Sequence, residues 1–210
     1  MKPNSFLTIK NPMETIYIEK KSKFIANIRS AQNLKEIDEQ IEAIRKKYWD
    51  AAHNVYAYTL GLNDQIQKFS DDGEPSGTAG RPVLEVLKSR DLKNVLVVVT
   101  RYFGGIKLGA GGLVRAYSES VSNCIKKAGV IKKVRCNKYF LMIDYSLLGK
   151  TEWELKNHNL LVEDIVYDEN VLITVGVPFD FNMDFGSFIL NLTSGNAEIK
   201  KVGEVYINAH

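Results

Sequence analysis

Apolar and polar positions change period several times along the chain, and each change predicts an element. Thr15–Glu19 (TIYIE) and Lys23–Arg29 (KFIANIR) alternate as strands about the short turn Lys20-Lys21-Ser22, so an opening hairpin is expected. Asn33 caps a predicted helix over Asn33–Tyr48, with Leu34, Ile37, Ile41 and Ile44 on one face. Its other positions mix Glu36, Glu39 and Glu42 with Arg45, Lys46 and Lys47, a solvated surface. In Ala51–Leu60, Val55, Ala57 and Thr59 alternate with Tyr56 and Tyr58, the pattern of a half-buried strand, with Gln65–Ser70 as its partner. Val83–Leu87 then reads as helix, and Val95–Val99, β-branched apart from Leu96, as a buried strand. Leu113–Gly129 returns to helical spacing at Leu113, Ala116, Val121, Ile125 and Ala128.

A second series of elements starts near residue 135. It runs strand Tyr139–Tyr145, helix Ser146–Asn157, strands Leu160–Tyr167 and Val171–Val177, helix Asp180–Leu192 and strand Glu198–Ile207, with Asp168-Glu169-Asn170 turning the middle hairpin. That order is βαββαβ, which predicts a ferredoxin-like domain. The expected class is α+β in two domains, 1–134 and 135–210. Charge divides at the same place: Lys and Arg exceed Asp and Glu by 8 in residues 1–134 and fall short by 5 in residues 135–210. A basic first half suits a polyanionic partner, and equally a solvated surface.

The segment Asn94–Tyr117 (NVLVVVTRYFGGIKLGAGGLVRAY) organises the first half. Five of the fifteen glycines, Gly104, Gly105, Gly109, Gly111 and Gly112, fall within nine residues of it, between the predicted strand and helix. Backbone amides at such a junction can face an anion, and Arg101, Lys107 and Arg115 add positive charge. Neither a P-loop ending nor Gly-x-Gly-x-x-Gly spacing is present, so both nucleotide fingerprints are rejected. Close packing of helix on strand is the competing reading of the glycines.

The other unusual segment is Asp71–Pro82 (DDGEPSGTAGRP). Its Asp71, Asp72 and Glu74 can hold a hard cation, pair with Arg81 and Arg101, or receive loop amides; no metal or other cofactor is expected. Ser76 and Thr78 read as cap and turn residues, since the Gly-x-Ser-x-Gly nucleophile pattern is missing. His53 is either a hydrogen-bonded structural residue or part of a pocket with Asp72, Glu74, Ser76 and Thr78. Cys124 and Cys136 have no CxxC spacing and read as free structural thiols. No apolar run approaches the roughly 20 residues of a membrane span, and the first residues lack a signal-peptide core, so a cytoplasmic, non-membrane protein is expected.

Together HNVYAY, DDGEPSGTAGRP and VVVTRYFGGIKLGAGGLVRAY resemble the IMPACT N-terminal, or YigZ-like, family over roughly residues 15–130. The resemblance implies a first domain of the ribosomal protein S5 domain 2-like α/β sandwich type, similar also to the fourth domain of elongation factor G. It implies a second domain similar to another, ferredoxin-like domain of that factor. Eukaryotic relatives are translational regulators acting through a partner of a kinase that phosphorylates an initiation factor. The resulting expectation is a non-enzymatic protein that contacts RNA or the ribosome through Arg101, Tyr102, Phe103, Gly104, Gly105, Lys107, Gly109, Gly111, Gly112 and Arg115. An enzyme using a His53/Glu74 pocket and a protein-interaction module, with a translation factor or regulatory protein as partner, are the alternatives.

Overall fold

A computed structural model describes residues 2–209. Two compact units emerge: Phe6–Ile131, and residues 132–209 together with Pro3–Ser5.

The first unit is built on the sheet order β2-β3-β6-β4-β5, with every pairing antiparallel. Its strands are β2 (Met13–Glu19), β3 (Ser22–Ser30), β4 (His53–Leu60), β5 (Ile66–Ser70) and β6 (Val95–Tyr102). The predicted hairpin is β2–β3. Helix α1 (Leu34–Lys47) joins β3 to β4, and β6 enters between these two strands. Asn33 caps α1 as its sequence predicts, accepting the Glu36 N–H at 2.9 Å.

Strand β4 departs from the half-buried expectation. Val55 and Ala57 pack in a core with Val83, Leu87, Tyr117 and Val121, whereas Tyr58 and Leu60 pack with Ile37, Ile41 and Ile44 of α1. Helices thus cover both faces: α1 on one, and α2 (Gly80–Ser89) with α3 (Gly109–Ala128) on the other. Tyrosines are large enough to fill the space under α1, so the alternating pattern concealed a strand buried on both sides.

A further strand, β1 (Ser5–Ile9), was not predicted; it pairs with β7 (Val130–Ile143), a partner distant in sequence. The second unit follows as α4 (Tyr145–Asn157), β8 (Leu161–Tyr167), β9 (Val171–Pro178), α5 (Phe185–Thr193) and β10 (Ala197–Asn208). Its strands lie in the order β10-β7-β9-β8, with all three pairings antiparallel, which is the ferredoxin-like arrangement. Leu141, Ile173, Val175, Leu155 and Ile189 fill its core. Helix α5 begins at Phe185, later than the predicted Asp180, because the Asp184 carboxylate caps it by accepting the Ser187 N–H at 2.7 Å. No helix among the described residues is long and apolar enough to cross a membrane. Cys124 and Cys136 are free and buried, and burial raises both thiol pKa values, Cys136 to about 11.

Candidate functional site

The acidic loop between β5 and α2 does not gather its carboxylates around one point. Asp71 turns toward the entry of α2, accepting N–H groups from Gly77 at 2.9 Å, Ala79 at 3.1 Å and Gly80 at 2.7 Å. An internal carboxylate therefore occupies the positive end of that helix. Asp72 turns toward β4 and α1: it accepts the Asn54 N–H at 2.6 Å and an Arg45 N–H at 3.1 Å. Glu74 points inward, its side chain only 3 % exposed.

Glu74 is the centre of a buried polar cluster. Its Oε1 accepts from Arg101 Nη1 at 2.6 Å and from the Tyr117 hydroxyl at 2.7 Å. Arg101 also reaches Ser22 Oγ at 3.4 Å and lies over the rings of Phe24 and Phe103, at 5.4 and 5.7 Å from their centroids. Burial, then the adjacent Glu74 charge, raises the Tyr117 pKa, so the phenol stays protonated and serves as a donor.

His53 joins the cluster from the start of β4. Its Nδ1 donates to the Asp72 carbonyl at 2.8 Å, which turns Nε2 toward Glu74 Oε2, 3.8 Å away. At that separation the two atoms are beyond hydrogen-bond distance. His53 and Glu74 approach each other, whereas the Asp72 side chain faces Asn54 and Arg45 and contributes only its backbone carbonyl. Ser76 is exposed, and Thr78 Oγ1 donates to the Pro75 carbonyl at 2.6 Å, so Thr78 serves the turn.

The glycine-rich segment differs from its predicted form. Gly109, Gly111 and Gly112 belong to α3, which begins at Gly109; only Gly104 and Gly105 stand in the connection. Gly109 has a left-handed backbone, φ +72°, which favours glycine, and helical spacing could not reveal it. Gly104 is a packing residue: a Cβ on it would collide with the backbone of Lys21 and Ser22, and its N–H donates to Ser22 Oγ at 3.1 Å. Space is open around Cβ positions at Gly105, Gly109 and Gly111.

Of the two expectations for Arg101, an anion site or a pair with the acidic loop, the structure has the pair: its side chain is 7 % exposed and bound to Glu74. A phosphate would have to break that pair to reach it. Tyr102 is half-buried and its hydroxyl donates to Asp50 Oδ1 at 2.7 Å. Phe103, 53 % exposed, and the exposed Lys107 and Arg115 remain on the surface around the start of α3. That start has no side-chain cap and no acidic residue in its first turn. Ser22 and Arg45 escaped the sequence reading, because the partners that give them a role are far away in the chain.

In the second unit, a cleft of about 680 Å³ is lined by Val134, Leu160, Leu161, Val162, Pro178 and neighbouring polar residues. It holds none of the motif residues.

Comparison with known proteins accounts for both units. The Impact N-terminal domain matches residues 20–125, a span holding the Glu74 cluster and the start of α3. The chain is 44 % identical over 204 residues to the IMPACT family member YvyE of Bacillus subtilis, covering 97 % of this chain and 94 % of the relative. It belongs to the IMPACT family. The IMPACT family member YigZ of Escherichia coli is 30 % identical over 209 residues, covering 95 % and 99 % of the two chains. Similarity to human Protein IMPACT is narrower, 35 % over 108 residues, and covers 44 % of this chain and 33 % of that one. A crystal structure of a hypothetical protein, 30 % identical, matches 95 % of this chain and 98 % of its own with a TM-score of 0.62. Residues 141–196 match a domain of unknown function (DUF1949), so the ferredoxin-like unit of this family member has a family of its own.

Proposed function

We propose that this IMPACT-family chain is a non-enzymatic, cytoplasmic protein of the translation apparatus that binds RNA, free or in the ribosome, through the surface from Phe103 to Arg115. The contrast between two helix starts in the same unit carries this reading. Asp71 fills the entry of α2, whereas α3 enters with uncapped amides, open space before Gly109 and Gly111, and Lys107 and Arg115 beside it. Free amides and cations suit phosphate, and an exposed aromatic such as Phe103 suits an unpaired base. Arg101, Glu74, Tyr117 and Ser22 act behind this surface by fixing β6 against the loop and α3. The translational setting rests on the family resemblance.

Sedimentation with ribosomes and with ribosomal RNA across a salt titration tests the proposal. Association should weaken steeply with salt, and Lys107→Ala/Arg115→Ala should reduce the logarithmic salt slope by about 1.4 for single-stranded contacts. Arg101→Ala is unsuitable as a binding control because it breaks the buried cluster. Failure to associate with either RNA at low salt would overturn the reading.

A further inference from the structure

The end of the first unit's sheet carries a second aromatic and three more lysines beside the surface just described. Register places them. Lys23 pairs with Tyr102 and His53 with Arg101, so the β2–β3 turn and the segment before β4 flank the end of β6 on opposite sides. On one side, Gly104 lies against the Lys21–Ser22 backbone. On the other, the Ala52 N–H donates to the Arg101 carbonyl at 3.1 Å, and Asp50 accepts from Tyr102. Trp49, adjacent to Asp50, is 83 % exposed.

Two features separate this sheet end from ordinary solvated surface. An indole so exposed contributes little to the core, and the apolar face of α1 ends before it. The turn residues Lys20 and Lys21 both have left-handed backbone, φ +44° and +66°, in a two-residue hairpin connection. That conformation favours Asn-Gly, so the sequence keeps two cations where uncharged residues would be less strained. Lys20, Lys21, Lys23 and Lys107 are exposed and form no ion pair among the described residues. The nearby carboxylates Asp50 and Glu19 accept from the hydroxyls of Tyr102 and Tyr17.

We infer that the RNA surface continues across the sheet end to Trp49 and the Lys20-Lys21 turn, and that its ligand is single-stranded RNA with unpaired bases. This rests on the RNA-binding reading above and adds a second stacking residue, a second cationic element and discrimination against duplex. Trp49 and Phe103 offer exposed rings to unpaired bases, while Lys20, Lys21, Lys23 and Lys107 neutralise phosphates of the same strand. Duplex RNA presents its bases stacked inside, leaving an exposed indole nothing to stack on.

The test uses the full chain, a fluorescently labelled single-stranded oligouridylate and a duplex RNA of equal length, read by anisotropy. Trp49→Ala should weaken oligouridylate binding about ten-fold and leave duplex binding within about two-fold, the size expected for one lost stack. Lys20→Asn/Lys21→Gly should reduce the logarithmic salt slope by about 1.4. Because Asn-Gly suits the turn, the same variant should melt no lower than the parent, separating lost binding from lost folding. In a Trp153→Phe background, oligouridylate should quench Trp49 fluorescence. If both variants bind like the parent while Lys107→Ala/Arg115→Ala does not, the extension is wrong and the α3 surface stands. If the parent binds neither RNA at low salt, both fall.

Discussion

Tyr117, in the middle of α3, donates its hydroxyl proton to Glu74, in the loop entering α2, at 2.7 Å. Glu74 takes Arg101 of β6 on the same oxygen, so one carboxylate ties a helix, a loop and a strand together. The ring of Tyr117 also meets Phe24 edge-on, with centroids 5.1 Å apart. These contacts make Glu74 a structural keystone behind the proposed binding surface.

Removing one partner from a buried ion pair leaves the other charge without compensation. Glu74→Ala should therefore destabilise the first unit by about 3–5 kcal/mol, since the Arg101 guanidinium stays in place. Tyr117→Phe keeps the ring and loses only the bond to a charged acceptor, a cost of about 1.5–3 kcal/mol. Urea denaturation followed by near-ultraviolet circular dichroism measures both. A Glu74→Ala protein as stable as the parent would mean that water enters and solvates Arg101.

Much of this was legible in the sequence, and the failures have a common cause. Asn33 could be read as a cap because its partner is three residues away, and the βαββαβ order because each element announces its own period. The role of Arg101 was legible only as one option among several, since pairing with the acidic loop stood beside an anion site. Its carboxylate partner lies in another loop, 27 positions earlier, so the sequence shows a cation beside glycines and suggests an anion site as well. Strand β1 was hidden for the same reason, since its pairing with β7 depends on chain far away. In the glycine-rich segment the residues stand out by composition, but their division between connection and helix does not. Gly104 is fixed by the Lys21 backbone pressing against it, while Gly111 faces open space, a difference made by the fold and not by composition.

Tyr102 provides a pH signature at the same sheet end. Its hydrogen bond to the Asp50 carboxylate, followed by partial burial, raises the phenol pKa to about 12 from an ordinary 10.0. Because the folded-state value lies above the unfolded one, this contribution to stability is fully present below pH 10.0 and lost as the pH rises through about 12. Asp50→Asn removes the charge and should return the titration toward 10.0. Difference absorption of the phenolate, with Tyr102→Phe to assign the signal among ten tyrosines, checks this. An unchanged titration in Asp50→Asn would show that the aspartate does not set it.

Gly111 separates stability from binding. It lies in the first turn of α3, and a Cβ there would meet nothing within 4 Å. Alanine restricts the unfolded chain more than glycine does, so Gly111→Ala should stabilise the protein by about 0.5–1 kcal/mol. A glycine kept at that expense is explained if a ligand approaches the helix amides closely, where the added methyl would intrude. The expected outcome is a higher melting temperature with weaker RNA association, measured on the same preparation. Gly104→Ala should do the opposite to stability, lowering the melting temperature because its methyl collides with backbone that cannot yield cheaply. If Gly111→Ala is more stable and binds RNA as the parent does, phosphate does not approach α3 at this position, and the contact moves outward to Lys107 and Arg115 alone.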